Sequence, residues 1–271
     1  QSKTLNLKDW SLISFISVIN IPLILIILYM NQIFNNYFFE ILAITLIFVA
    51  YYLFNKRKQD ISSKNDLRKI TYIGILSVFV IFFWVGFEQA GGSLTLFANN
   101  SVDRDFFGFI IPASFFQSIN PLIIILIGPM VANFWLRLDQ SKSNINTSQK
   151  MGLGLLLLAS GFFLIMLVNN SNEIAISLWW LVGVYFLHTL GELCLSPIGL
   201  SMVSKVSPKK IASLVMGFWF LSSAVANFMA GKLPSILQTN DIDLFTFLTV
   251  TSVLAGVILI CISSFMERLI K

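Results

Sequence analysis

Two glutamates lie deep inside long apolar stretches of this 271-residue sequence. Glu88 is at the centre of FFWVGFEQAGG, and Glu192 is at the centre of HTLGELCLSPIGLS. A charged side chain in the middle of a bilayer costs about 2.5–3.5 kcal/mol on insertion scales. Such residues tend to face a water-filled cavity, pair with a cation or exchange a proton, so both glutamates are candidates for a functional site.

Aromatic residues and glycines surround Glu88. Trp84 lies four residues earlier, which places it on the same face of a helix, and Phe87 is adjacent. The sequence AGG that follows Gln89 predicts that the helix bends or approaches a neighbour closely. A structural glutamate that bonds to a neighbouring helix is the alternative to a functional one.

The stretch around Glu192 combines polar spacing with a helix breaker. His188, Glu192 and Ser196 follow one another at intervals of four residues and share a face. Pro197 has no backbone N–H, so it predicts an interruption in this helix. A polar, interrupted helix at mid-membrane is typical of transporter binding sites. His188 fits a packed, hydrogen-bonded residue better than a ligand.

Two further residues are candidates for the same kind of site. Asn120 precedes Pro121, and its amide can donate to a carboxylate or accept from an amine, although Asn-Pro is also a common helix kink. Trp219 lies far from the ends of its apolar run, where interfacial tryptophans belong, so it could line a cavity. Gly217 and Gly231, in the same run, predict tight helix contacts.

The composition indicates a membrane protein. Hydrophobic residues make up 56% of the chain and charged residues 11%, against roughly 25% charged in typical soluble domains. The mean hydropathy is +0.83. With one histidine, and no GxxxxGK[ST] or HExxH motif, nothing supports a metal site, a cofactor site or an enzyme of the ATP-driven or zinc-protease classes.

Eight apolar runs are long enough to cross a membrane as helices, which takes about 20 residues. We therefore predict an all-α membrane protein with eight transmembrane helices. A two-helix hairpin (1–54) is followed by a basic linker (55–69) and a six-helix bundle (70–271). The runs are 11–31, 34–54, 70–98, 110–138, 150–169, 174–204, 211–237 and 243–266.

The distribution of basic residues predicts the orientation of these helices. If the loops alternate sides, one side receives all but Arg104 and Lys232 of the 18 Lys and Arg residues. Lys and Arg accumulate in cytoplasmic loops, so we expect both termini in the cytoplasm. Anionic lipid at one membrane face accounts for the net charge of +5, which removes the reason to expect a nucleic-acid partner.

Four stretches, spread over roughly residues 70–240, together resemble the proton-dependent oligopeptide transporter family of the major facilitator superfamily. They are FFWVGFEQAGGSLTLFA, VDRDFFGFIIPASFFQSINPLIIILIGP, HTLGELCLSPIGLSMVSKVSP and MGFWFLSSAVANFMAGKL. They follow the order of the family. The resemblance implies that the first two runs are the extra hairpin of bacterial members and that the remaining six are helices 7–12, the C-terminal bundle.

The resemblance also implies a role for each candidate residue. Glu88 matches the acidic residue of proton coupling and gating, and Glu192 matches the residue that receives the peptide amino group. The other matches are Trp84, Phe87 and Trp219 in the cavity, Asn120 near the peptide carboxylate, and Ser196 one turn beyond Glu192. One departure is that AGGSL stands where the family usually has GSSL.

We therefore expect the C-terminal half of a proton-coupled di- and tripeptide symporter in the plasma membrane, a bacterial inner membrane. Protons are its coupling ion, and its partners are the peptide, the lipid bilayer and an N-terminal six-helix bundle. The family's ExxERFxYY signature, which belongs to that bundle, is absent from this sequence. A transport-inactive fragment or membrane interaction module is the alternative. Another substrate class of the superfamily fits less well, because Glu192 and Asn120 suit an amine and a carboxylate.

Overall fold

A computed structural model of the chain describes residues 64–140, 145–169 and 176–270. The predicted hairpin (1–54) lies outside the described residues, as does most of the predicted linker. The first described helix begins at Lys64, so the last part of the segment 55–69 is helical.

Seven α-helices and four two-residue strands make up the described part, with three short 3₁₀ turns. The helices are α1 (Lys64–Phe87), α2 (Ser93–Ser101), α3 (Ile119–Gln140), α4 (Thr147–Asn169), α5 (Leu178–Val206), α6 (Ala212–Gln238) and α7 (Leu244–Ile270). The strands are β1 (Val102–Asp103), β2 (Asp105–Phe106), β3 (Phe109–Ile110) and β4 (Ile176–Ser177).

Six helical segments in the described residues are long and apolar enough to cross a membrane, with α1 and α2 forming one of them. They coincide with the last six predicted runs, and the protein is a multi-pass membrane protein. The total of eight spans is not confirmed, because the first two runs fall outside the described residues. The segments are Asn65–Ser101, Ala113–Gln140, Thr147–Val168, Leu178–Val206, Lys209–Gln238 and Leu244–Ile270.

The core of the bundle forms around α4. This helix packs most extensively against α5 and α7, while α1 packs against α6 and α7. By contrast, α3 contacts the described bundle chiefly through α5. The largest fully buried side chains are apolar or aromatic: Tyr72, Phe83, Phe162, Ile73, Leu76, Leu94, Met151, Leu155, Leu158, Leu181, Leu195 and Leu248.

Pairs of glycines set the two closest approaches of α4 to its neighbours. A Cβ added at Gly154 would lie 2.7 Å from the Gly191 carbonyl oxygen of α5, and the reverse distance is also 2.7 Å. Gly152 and Gly256 of α7 face each other in the same way, at 3.1 and 3.0 Å. Small residues at such crossings allow two backbones to come together, which is how helices in membranes commonly associate.

The glycines that sequence analysis singled out in α6 behave differently. A Cβ at Gly217 or Gly231 would meet no atom of the described residues within 4 Å. The expectation of tight contacts at these two positions is therefore wrong for this part of the chain.

Local signals explain where several elements begin and turn. At the start of α4, Asn146 and Gln149 accept hydrogen bonds from each other's backbone N–H at 2.8 and 3.1 Å, which is a reciprocal capping arrangement. Strands β2 and β3 form a hairpin whose two turn residues, Phe107 and Gly108, have positive φ of 54° and 84°. Strands β1 and β4 pair in parallel.

We predict that Gly154→Ala destabilises the bundle, because the added methyl group would overlap the Gly191 carbonyl. Forcing one extra carbon into a packed contact typically costs about 1–3 kcal/mol. The measurement is thermal unfolding of the purified protein in detergent. Gly74→Ala is the matched control, since a Cβ at Gly74 meets nothing within 4 Å, and it should leave the melting temperature unchanged or slightly higher. Equal effects of the two substitutions would contradict the prediction.

Candidate functional site

The first membrane-spanning segment of the described residues, Asn65–Ser101, is interrupted at Glu88 and is called the first span below. Helix α1 ends at Phe87, residues Glu88–Gly91 form a 3₁₀ turn, and α2 begins at Ser93. The bend expected from the AGG sequence is therefore present. It places the Glu88 carboxyl at the point where the regular hydrogen bonding of the helix stops.

The backbone groups released by this interruption find other partners. The Ala90 carbonyl accepts from the Thr95 hydroxyl at 2.8 Å and from the Tyr185 hydroxyl of α5 at 3.4 Å. The Gln89 carbonyl accepts from the N–H of Gly92 at 3.1 Å. Irregular backbone at membrane depth is tolerated where protein or a cavity supplies such bonds. Tyr185 thus connects α5 to the interruption.

Gln89 joins the interruption to α6. Its side chain is 2% exposed, and its amide Nε2 donates to the Ala230 carbonyl at 3.1 Å as well as to the Val85 carbonyl of its own helix. The usual donor to the Ala230 carbonyl would be the N–H four residues later, but that residue is Pro234. Because proline has no N–H, Gln89 supplies the hydrogen bond that Pro234 cannot.

Asn120, Thr189 and Glu192 form a hydrogen-bonded cluster between α3 and α5. The Asn120 amide donates to the Glu192 carboxylate at 2.7 Å and to the Thr189 hydroxyl at 3.1 Å. The Thr189 hydroxyl donates to the Tyr185 carbonyl at 2.6 Å. Both N–H groups of the Asn120 amide are thus engaged, and the carboxylate of Glu192 is held toward α3.

A cavity of about 190 Å³ lies beside this cluster and the interruption of the first span. Glu88 and Asn120 both contribute to its wall, and Glu88 is close enough to Glu192 for their charges to interact. Polar and aromatic side chains from α5 complete the wall. The lining residues are Phe87, Glu88, Ala90, Gly91, Gln117, Asn120, Tyr185, His188 and Thr189.

The aromatic candidates of α1 form a contiguous group next to Glu88. The rings of Trp84 and Phe87 are nearly perpendicular with centroids 5.2 Å apart, and Phe83 stacks on Phe87 at 5.6 Å. Phe83 is fully buried, whereas Trp84 and Phe87 are partly exposed. The buried ring therefore fixes the position of the two that lie nearer the cavity.

Two other candidates lie away from this cavity. Trp219 is 4% exposed and packs against Gly199 of α5, where a Cβ would lie 2.5 Å from the indole Cζ2. Ser196 is half-buried one turn beyond Glu192 and does not line the cavity. The structure thus brings Glu88, Phe87, Asn120 and Glu192 together, with Trp84 against Phe87, and leaves Trp219 in a helix–helix contact.

The histidine and proline of α5 differ in part from expectation. His188 is packed, with its ring centroid 4.6 Å from that of Phe162, yet neither ring nitrogen has a hydrogen-bond partner among the described residues. Helix α5 runs through Pro197 without a break. The expected interruption of this helix is therefore wrong, because proline removes one hydrogen bond but neighbouring turns can keep helical geometry in a packed bundle.

Gln89, Thr189 and Tyr185 are polar contributors that sequence analysis did not identify. Thr189 and Tyr185 precede Glu192 by three and seven residues, so their spacing places them on the Glu192 face of α5. This spacing could have identified Thr189 and Tyr185 from the sequence alone. For Gln89 the signal was indirect, since only Pro234 indicates a carbonyl in need of a donor.

The site chemistry rests on carboxyl, amide and hydroxyl groups. No three His, Cys, Asp or Glu side chains come together as a metal site within the part of the chain that the structure describes. A carboxyl group in the cavity wall, Glu88, and a second one bonded to the wall residue Asn120, Glu192, are groups that can bind an ammonium group or exchange a proton. The Asn120 amide donates to the Glu192 carboxylate. This bond holds the carboxylate in one orientation, in which it can accept from a cation.

Comparisons with known proteins point to one family. The sequence pattern of the POT family matches residues 12–252. "Peptide transporter YePEPT" of Yersinia enterocolitica subsp. palearctica is 36% identical over 84% of this chain and 45% of its own length. "Dipeptide and tripeptide permease A" of Proteus mirabilis is 34% identical over 64% of this chain and 36% of its own length. This chain spans less than half the length of these curated relatives.

A solved structure gives the same result at the level of the fold. The crystal structure of a mutant of peptide transporter POT in complex with alafosfalin superposes with a TM-score of 0.78 and 27% identity. The alignment covers 98% of this chain and 55% of that chain.

We predict that Gln89→Leu destabilises the protein by about 1–3 kcal/mol, because the buried Ala230 carbonyl loses its donor. Pro234→Ala provides the test of this cause, since alanine restores the N–H within α6. In the Pro234→Ala background, Gln89→Leu should cost about 1 kcal/mol less than in the natural sequence. The measurement is a double-mutant cycle of thermal unfolding. An equal cost in both backgrounds would show that Gln89 acts only through its bond to Val85 or through Ser93, whose hydroxyl donates to the Gln89 Oε1 at 2.7 Å.

Proposed function

Because this chain belongs to the POT family, we propose that it forms the C-terminal half of a proton-coupled di- and tripeptide symporter. The observation that carries the proposal is an intramembrane cavity whose wall contains Glu88 and Asn120, where Asn120 holds a second carboxylate, that of Glu192, at 2.7 Å. A peptide carries a cationic amino group and an anionic carboxyl group. A site for it needs anionic and donor groups at membrane depth, which is what this cavity supplies.

The cavity is consistent with a site that a second bundle completes. Its volume of about 190 Å³ is below the roughly 300–1,000 Å³ of typical small-molecule sites. In transporters built from two bundles, the substrate site lies at their interface near the midplane. We therefore propose that an N-terminal six-helix bundle faces this cavity, and that alternating access consists of rocking one bundle against the other.

In this proposal Glu192 binds the amino group of the peptide. The α-amino group has a reference pKa of about 7.7–8.0 and is cationic near neutral pH. A cation moved from water into this site needs an anion in contact with it. Glu192 is half-buried, and one of its oxygens accepts from Asn120. A carboxylate has several lone-pair directions, so its second oxygen can accept from the ammonium group.

Asn120 then has a role that depends on the occupancy of the site. Without peptide its two N–H groups are taken by Glu192 and Thr189. To bind the peptide carboxylate, as the family resemblance implies, Asn120 must release one of these acceptors. We propose that the ammonium group replaces Asn120 as a partner of Glu192, which frees an amide N–H for the peptide.

Glu88 is proposed as the proton-coupling and gating residue. It makes no hydrogen bond or ion pair with the described residues, and it lies where α1 gives way to the 3₁₀ turn. A change of its charge therefore acts at the weakest point of the first span. Trp84 and Phe87 line the approach to it, and Ser196 and Trp219 are proposed to contact substrate only when the second bundle is present.

We also propose how the chain is oriented in the membrane. Both termini lie in the cytoplasm of a bacterial inner membrane, as the basic residues predict. We propose that residues 1–54 form the helical hairpin, and that the predicted linker 55–69 is cytoplasmic and leads into the bundle, with its last residues in α1 from Lys64. Protons serve as the coupling ion, and no prosthetic group takes part. A transport-inactive membrane module is the alternative. Proton-driven dipeptide uptake in proteoliposomes distinguishes the two, measured on the transporter that contains both this chain and the N-terminal bundle, which is called the full-length protein here.

We predict that Glu88→Gln in the full-length protein abolishes proton-driven accumulation of a dipeptide but retains counterflow exchange. Glutamine has the same shape as a protonated glutamate but cannot release a proton. Uptake and counterflow are measured side by side in proteoliposomes. Asp241→Asn, which removes a carboxyl group from an exposed loop residue, is the matched control and should leave both activities intact. A Glu88→Gln protein that still concentrates peptide would exclude Glu88 as the essential proton carrier.

We predict that Glu192→Gln weakens binding of free dipeptides by about 10- to 150-fold, the value of a charge-assisted hydrogen bond. Glutamine still accepts from Asn120, so the local geometry is kept while the charge is removed. N-acetylated dipeptides lack the cation, and their binding should scarcely change. Affinities for both kinds of peptide are measured on the full-length protein by titration. Equal losses for free and acetylated peptides would assign the amino group to another residue.

A further inference from the structure

A second, larger cavity of about 510 Å³ lies between α3 and α5, at the ends of the helices and apart from the site described above. Its polar wall is at helix termini. Asp139 is the penultimate residue of α3, Thr147 is the first residue of α4, and Lys205 is the penultimate residue of α5. The ends of membrane-spanning helices lie near the lipid headgroups, so this wall is at headgroup depth.

Two lysines give this end of the cavity a positive character. Lys150 is 7% exposed, its Nζ is 2.5 Å from the Asp139 Oδ1, and it lies 5.1 Å from the centroid of the Trp135 ring. Lys205 is exposed and makes no ion pair within residues 64–140, 145–169 and 176–270. With one carboxylate against two ammonium groups, the wall keeps one net positive charge.

Two further features of this end favour an anion. The indole N–H of Trp135 is buried without a hydrogen-bond acceptor among the described residues, which is unusual for a buried donor. The start of α4, at Thr147, is the positive end of a 23-residue helix dipole. Both features belong to side chains or termini that line the same cavity as Lys150 and Lys205.

Many of the other lining residues are apolar, and together they form an apolar wall: Val131 and Ala132 of α3 and Leu193, Ile198 and Met202 of α5. Leu126 and Met130 of α3 are also exposed, at 63% and 69%. The lining therefore combines cationic groups at headgroup depth with an apolar surface, which are the two kinds of group that the charged head and the acyl chain of a phospholipid require.

We propose that this cavity binds an anionic phospholipid, with its phosphate beside Lys205, whose charge no carboxylate of the cavity wall balances, and one acyl chain along the apolar wall. Basic pockets between membrane-spanning helices commonly hold such headgroups. Inorganic phosphate and glycerol phosphate share the phosphate chemistry, but they lack the chain that the apolar wall requires. A single net positive charge at an exposed rim holds a soluble anion only weakly, whereas the bilayer presents lipid at high local concentration.

The test measures lipid binding to the full-length protein by native mass spectrometry. Phosphatidylglycerol and phosphatidylcholine with identical chains are titrated separately into detergent solutions of the protein. Phosphatidylglycerol should bind more tightly. Lys205→Gln should lower the affinity for phosphatidylglycerol by about fivefold, which is the contribution of one lysine near a lipid headgroup. It should leave the affinity for phosphatidylcholine unchanged. Lys209→Gln, an exposed basic residue outside the cavity, is the matched control and should have no effect.

A second variant tests the apolar wall. Ala132→Phe narrows it and should weaken phosphatidylglycerol even though every charge remains. Three results would overturn the proposal: no preference for phosphatidylglycerol, an equal loss in Lys205→Gln and Lys209→Gln, or displacement of the lipid by soluble glycerol phosphate. The first would mean that no anion occupies the cavity. The second would assign the effect to diffuse surface charge, and the third would assign the cavity to a soluble anion.

Discussion

Hydrocarbon offers no hydrogen bonds, so every polar group that leaves regular helix geometry inside a membrane must find its partner within the protein. The interruption at Glu88–Gly91 creates this demand in the first span. The Tyr185 hydroxyl of α5 donates a hydrogen bond to the Ala90 carbonyl, and the Gln89 amide donates one to the Ala230 carbonyl of α6. The bonds that make the interruption tolerable are thus the same bonds that tie three spans together around the cavity.

The helix crossings determine which side chains face that cavity. On α5, Gly191 is pressed against Gly154 of α4, and His188 lies against Gly161 of the same helix, where a Cβ would overlap its imidazole. This fixes the rotation of α5 about its axis. Glu192, one residue and about 100° beyond Gly191 in a helix of 3.6 residues per turn, is then directed away from α4 and toward Asn120 of α3. The direction of the Glu192 side chain therefore follows from the contacts that Gly154, Gly161 and Gly191 allow between α4 and α5.

The sequence was sufficient to predict the six spans of the described residues and three of the polar residues that lie together. Charges and amides in apolar runs are rare enough that Glu88, Asn120 and Glu192 identify themselves, and the structure places Asn120 against Glu192 and Glu88 beside the same cavity. Hydropathy likewise gives the six described spans to within a few residues, because the length of an apolar run is fixed by the thickness of the bilayer.

Contacts between distant residues could not be predicted in the same way. Pro234 shows from sequence alone that the Ala230 carbonyl lacks its helical donor, but nothing in the sequence says that Gln89, 141 positions earlier, provides it. Helix-breaking residues also differ in outcome, since α5 continues through Pro197, while the span Asn65–Ser101, which has no proline, is interrupted at Glu88–Gly91. Whether a helix breaks depends on the packing that surrounds the freed groups, and packing is a property of the whole bundle.

The two cavities are connected through α3. Within the described residues this helix is held chiefly by α5, and the Asn120–Glu192 bond lies toward one end of that contact while the larger cavity lies toward the other. Because Asn120 lies on α3 and Glu192 on α5, the hydrogen bond between them resists a displacement of α3 along α5. The same displacement would move the walls of the larger cavity, since both helices line it. A ligand in the larger cavity would act on the Asn120–Glu192 bond only if it bound one position of α3 more tightly than another.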